Sequence, residues 1–220
     1  MNIKLIIILF TVFMMSCKDS IPSSPVQKGT AFVLLDYTEG QEYSVSFDRV
    51  KSWADKIGTN IESIEVMPIR DQSLSTYDII DLSSHIDAHG SSFLESQAAQ
   101  DALNKGTEKL SVSVQAYNTK YSGKELAKSS IVNPLCDCLK KSGNNDIVFL
   151  FSDILENDFG INYRDMSPED ISKHLNGTCR SNTTIIAVVE AFRDSDDGYV
   201  REAIKGYEAS FPNFKYTTSL

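Results

Sequence analysis

The stretch NDIVFLFSDILEN, Asn145 to Asn157, decides the fold. Its apolar residues Ile147 to Phe151 run without a break into Ser152-Asp153, and a mostly polar segment follows. A short run that is apolar at every position is the mark of a strand buried on both faces, as in the middle of a parallel sheet. Packing alone gives such a strand no reason to end on a hydroxyl and a carboxylate. Asp153 is therefore the first candidate functional residue.

Two further runs have the same character, Ala31 to Leu35 (AFVLL) and Thr183 to Val189 (TTIIAVV). Between and after them the chain alternates in period. Residues 47–57 carry apolar side chains at 47, 50, 53, 54 and 57, which is helical spacing, and Gly58 supplies the stop. Ser63 to Ile69 alternates as a strand, and Tyr77 to Leu82 pairs with it as a hairpin across a connection that holds the polar pairs Gln72-Ser73 and Ser75-Thr76. Helices are expected over about 93–121, 131–141 with Pro134 in its first turn, 166–175 opened by Ser167-Pro-Glu-Asp170, and 199–209. Phe214 to Thr217 adds an edge strand. Trp53, Phe149, Phe151 and Phe192 sit at core spacing. Alternating strands and helices predict an α/β, doubly wound fold: a mostly parallel central sheet, one antiparallel edge strand, and helices on both faces. No glycine-rich phosphate loop follows any strand.

The first residues belong to no core. Lys4 precedes an apolar or near-apolar run from Leu5 to Met15, too short to span a bilayer comfortably and laid out as a secretory signal peptide. Met14-Met15-Ser16-Cys17 resembles the lipobox of bacterial lipoproteins. That resemblance implies cleavage before Cys17, lipidation of its thiol and amine, and a firm membrane anchor. Residues 1–16 are then the signal peptide and 17–29 the lipidated Cys with a Pro/Ser-rich tether. Residues 30–220 form the domain. The expected location is the bacterial cell envelope, at the outer membrane, with the leaflet left open. Loss of Lys4 takes the balance from 21 basic against 30 acidic residues to 20 against 30, or −10. So acidic a chain is a poor ligand for nucleic acid, which demands basic patches. Of the remaining cysteines, Cys136 and Cys138 face different sides of one predicted helix. A bridge from either to Cys179 stays open.

In an open α/β sheet, ligands bind beyond the carboxyl ends of the central strands. Two such ends carry an Asp beside a hydroxyl: Asp36-x-Thr38 and Ser152-Asp153. Converging carboxylates and hydroxyls are hard oxygen donors suited to Mg²⁺. With Ser129-Ser-Ile-Val-Asn-Pro-Leu135 between them, these parts resemble the von Willebrand factor type A domain over roughly 29–217. That family has a metal-ion-dependent adhesion site made of Asp-x-Ser-x-Ser after the first strand, a Thr before a central helix, and an Asp after the fourth strand. The resemblance aligns Asp36 and Thr38 with the first part, Ser129 with the Thr and Asp153 with the last Asp. Gly40 stands where the family has its second Ser. It implies a metal site of Asp36, Thr38, Ser129 and Asp153 holding Mg²⁺, whose open position takes an acidic side chain of a partner protein. The ion is then glue and the chain is no enzyme. Two alternatives accompany this expectation: a metal-free envelope scaffold or assembly factor, and a Mg²⁺-dependent phosphohydrolase. The latter needs a second Asp where Thr38 stands. With no metal, Asp36 and Asp153 would be helix N-caps.

Other constellations are read as structural. His85 and His89 lie four apart around Asp87 but lack a third ligand, so a solvated loop is expected. His174 reads as a surface residue near a helix end. Asp194-Ser-Asp-Asp-Gly198 lacks the Glu of a calcium loop and reads as a turn.

Overall fold

The computed structural model describes residues 27–70, 78–82, 93–124, 126, 128–158, 160–189 and 196–218. The signal peptide, Cys17, most of the tether, His85, His89, Phe192 and Asp194-Ser195 lie outside the described residues, as does the hairpin connection.

The strands are β1 (Gln27–Asp36), β2 (Thr59–Ile69), β3 (Asp78–Asp81), β4 (Ile147–Ser152), β5 (Asn157–Asp158), β6 (Ile161–Asn162), β7 (Thr184–Val189) and β8 (Phe214–Thr217). The helices are α1 (Phe47–Ile57), α2 (Phe93–Tyr121), α3 (Val132–Lys141), α4 (Pro168–Thr178) and α5 (Asp197–Ser210). Six strands form one sheet in the order β3-β2-β1-β4-β7-β8, and β5 and β6 make a separate two-stranded ribbon. Within the large sheet only the β2–β3 pair is antiparallel. The expected architecture is thus present, including its single antiparallel edge strand.

Alternation along the strands sorts the core into two layers. Ala31, Val33 and Leu35 of β1 face the same side as Phe149 and Phe151 of β4, where α1 contributes Val50 and Ala54 and α2 contributes Leu110 and Val114. Phe32 and Leu34 face the other side with Val148 and Leu150, against Leu135 of α3, Ile171 of α4 and Tyr207 of α5. Helices therefore cover both faces, which is why the central strands are apolar at every position.

Several boundaries differ from expectation. β2 begins at Thr59 rather than Ser63, and α5 begins at Asp197, so Asp197 and Gly198 open a helix where a turn was expected. β1 begins at Gln27, inside the segment read as tether, because its backbone pairs in parallel register with β2 from Thr59 onward. Backbone pairing needs no apolar side chains, so the polar QKG escaped the pattern. Gly29 also admits a close approach, since a Cβ there would lie 2.1 Å from the carbonyl oxygen of Asn145. α4 starts at Pro168, with Ser167 as its N-cap accepting the Asp170 amide, and runs on to Thr178.

Candidate functional site

β1 and β4 are neighbours, and each ends in a polar residue at the same rim of the sheet. The Ser152 hydroxyl donates to Asp36 Oδ2 at 2.7 Å and accepts the Ile154 amide at 2.8 Å. Asp36 Oδ1 accepts the backbone N–H of Thr38 at 3.0 Å and its hydroxyl at 2.6 Å. Thr38 Oγ1 in turn lies 3.0 Å from Ser129 Oγ. Asp153 Oδ1 accepts the Leu155 amide at 2.9 Å, and its Oδ2 lies 3.9 Å from Arg164 Nη2. Neither aspartate caps a described helix. Asp36 gathers the rim hydroxyls and Asp153 shapes its own loop.

The rim carboxylates and hydroxyls are all buried, Asp36 to 1% exposure and Asp153 to 3%. Burial pushes the Asp36 carboxyl up, against the pull of its bonds from Thr38 and Ser152. Asp153 is pushed up to about 7, first by burial and then by the charge of Asp36, with Arg164 acting the other way. Beside Ser129, the buried hydroxyl of Ser130 has no hydrogen-bond partner. Unmet polarity of this kind calls for an explanation. Among the described residues no group of three or more His, Cys, Asp or Glu is placed to hold a metal. The rim instead offers two carboxylates with hydroxyls, a hard and weakly charged donor set. Such a set fits a small cation of the Mg²⁺ type and suits softer metals poorly.

The loops that carry these donors are tied together. Ser129 and Asn157 exchange two backbone hydrogen bonds, at 3.1 and 2.8 Å. Glu156, buried and pushed up to about 7 chiefly by burial, accepts the amides of Ile131 and Val132 at the start of α3. Between Asp153 and Leu155 the backbone of Ile154 has φ 57°, a conformation that a β-branched residue adopts at a cost. Ile154 itself is fully buried, so core packing holds it there. The β5–β6 ribbon then leads into a 3₁₀ turn, Tyr163–Asp165, whose Arg164 forms a two-point ion pair with Asp196 at 3.2 and 2.9 Å.

Sequence reasoning missed Glu156 and Arg164. The polar residues after Asp153 have no period, and no local pattern marks a carboxylate that caps a helix 25 residues upstream. Gly40 has a physical account. Its φ is 72°, and its amide closes a turn onto the Tyr37 carbonyl at 3.1 Å, so the chain places glycine where the resembled family carries a hydroxyl.

His174 departs from its expected place on the open surface. It is half-buried, with Nδ1 3.0 Å from the Tyr163 hydroxyl, and burial lowers its pKa. The cysteine question resolves as Cys136–Cys179, linking α3 to the C-terminal end of α4, while Cys138 is a buried free thiol. Among the described residues no helix is long and apolar enough to cross a membrane. No protein-family model and no curated protein matches the chain.

Proposed function

We propose that the chain is a non-catalytic binding module of the bacterial cell envelope, anchored by lipid on Cys17, that grips a partner protein through a Mg²⁺-type cation at the Asp36–Asp153 rim. The observation that carries this reading is the buried hydrogen-bonded chain of Ser152, Asp36, Thr38 and Ser129, drawn from three distant segments, with Asp153 next to Ser152 and near enough for the Asp36 charge to act on it. The likeness to the von Willebrand factor type A domain is strengthened by the antiparallel edge strand and by the position of all three segments at the carboxyl rim. Thr38, Ser129 and the two carboxylates would hold the ion. Bound there, it would supply a Lewis-acidic point that accepts a carboxylate from the partner. The Cys136–Cys179 bridge supports an oxidising, exported setting.

One observation favours a second reading, the metal-free scaffold. Arg164 already stands beside Asp153 and gives part of the positive charge that a cation would otherwise provide. Titrating Mg²⁺ and Mn²⁺ calorimetrically into residues 20–220, beside an Asp153→Ala control, separates the two. Saturable heat that disappears in the variant supports the ion-dependent module. No heat up to millimolar ion leaves the scaffold.

A further inference from the structure

We propose that Arg164 is a built-in competitor at the rim, a positioning residue that sets how tightly the Asp36–Asp153 site holds its cation. The inference rests on the cation reading above and deepens it.

The geometry is that of one guanidinium shared between two carboxylates. Arg164 Nε and Nη2 fork onto Asp196 Oδ1 and Oδ2 at 3.2 and 2.9 Å, a charge-assisted pair in which Asp196 is only 6% exposed. The same Nη2 lies 3.9 Å from Asp153 Oδ2. Asp153 Oδ1 already accepts the Leu155 amide, so the oxygen with more lone-pair capacity to offer a cation is Oδ2, the one the guanidinium faces. The backbone of Arg164 cannot drift away. Its amide bonds to Asn162 Oδ1 at 3.1 Å, and the preceding Tyr163 amide bonds to the Glu156 carbonyl at 3.0 Å. A fixed positive charge this near a cation site opposes the cation directly. Asp196 acts as a leash that holds the guanidinium back from Asp153. The two residues therefore act on the ion with opposite sign: removing Arg164 tightens the site, and removing the leash weakens it.

The test is Mn²⁺ binding to the full chain purified in detergent, read from the spin-resonance signal of free Mn²⁺, for wild type, Arg164→Gln, Arg164→Lys and Asp196→Asn. Loss of one nearby, partly screened charge is expected to tighten binding on the order of tenfold in Arg164→Gln. Arg164→Lys should stay near wild type, and Asp196→Asn should bind severalfold more weakly. Tighter binding in Arg164→Gln, including its appearance where wild type shows none, supports the proposal. If wild type binds saturably and Arg164→Gln binds equally or more weakly, Arg164 is no competitor, while the cation reading stands. If no variant binds, including Arg164→Gln, both fall. Should Arg164→Gln fail to fold by circular dichroism, Asp196→Asn decides alone, and unchanged affinity there overturns the idea.

Discussion

Glu156 Oε2 accepts the Ile131 amide at 2.6 Å, and the Val132 amide at 2.9 Å, so a carboxylate from the β4 exit loop caps a helix it does not belong to. Ile131, the residue at the N-cap, makes no side-chain cap of its own. Helix α3 therefore relies on Glu156 for two of its otherwise orphaned N–H groups. Glu156→Ala should cost about 2–4 kcal/mol, because both donors stay buried without an acceptor. Glu156→Gln keeps an acceptor oxygen and should cost about 1 kcal/mol or less. Urea unfolding midpoints measure both. Equal stability of the alanine variant and wild type would mean that the cap contributes nothing.

The same residue gives the domain an unusual response to acid. Asp153 and Glu156 are each pushed up to about 7, mainly by burial. In the unfolded chain both titrate near 4. Between those values the folded state binds more protons than the unfolded state, so stability falls as pH rises through the window and stays low above it. The ion-free domain should melt several degrees higher at pH 5 than at pH 8. Millimolar Mg²⁺ should restore most of the difference at pH 8 and add little at pH 5, since ion binding competes with protons for Asp153. A melting temperature that climbs with pH in the absence of ions would contradict the assignment.

Restoring a hydroxyl at position 40 should not help the site. A side chain at φ 72° strains the backbone, so Gly40→Ser is expected to cost about 1–2 kcal/mol. Ion affinity should not improve, because the turn from Tyr37 to Gly40 would have to open before the new oxygen could serve. Calorimetric titration of the variant checks this. A tenfold tighter site would show that the turn yields easily.

The Cys136–Cys179 bridge closes a loop with a sequence separation of 43. Chain-entropy arguments give such a loop about 3–4 kcal/mol, so reductant should lower the urea midpoint markedly in residues 20–220. Cys138 should stay unlabelled by maleimide until the domain unfolds. It is buried, and burial holds its thiol well above the ordinary range. Rapid native labelling of Cys138 would contradict its burial.

The sheet was legible because it is written in local pattern. Ile147 to Phe151 and Ala31 to Leu35 are apolar at every position, and the structure buries them between two helical layers. Gly58 stops α1 in a left-handed conformation, as its position suggested. Of the site, the strand-end residues Asp36 and Ser152 were legible, since the end of an apolar run is visible in one dimension. Ser129 entered only through a resemblance, and the structure brings its hydroxyl beside Thr38. Glu156, Arg164 and Asp196 were illegible for one reason: each acts on a residue far along the chain, through a contact that no periodicity encodes. His174 was misplaced on the same ground, because its partner Tyr163 belongs to a turn that carries no sequence signature.

Thr38 meets Ser129 across 91 residues, and Asp36 meets Ser152 across 116. Those closures are among the slowest events available to a chain this size, because loop entropy is lost before any contact compensates for it. No partly folded intermediate lacking the β1–β4 pairing can possess the rim. A bound cation would thus stabilise only states in which β1 and β4 have already paired. Ion affinity would appear only once β1 and β4 have paired, as a certificate that two segments 116 residues apart have found each other.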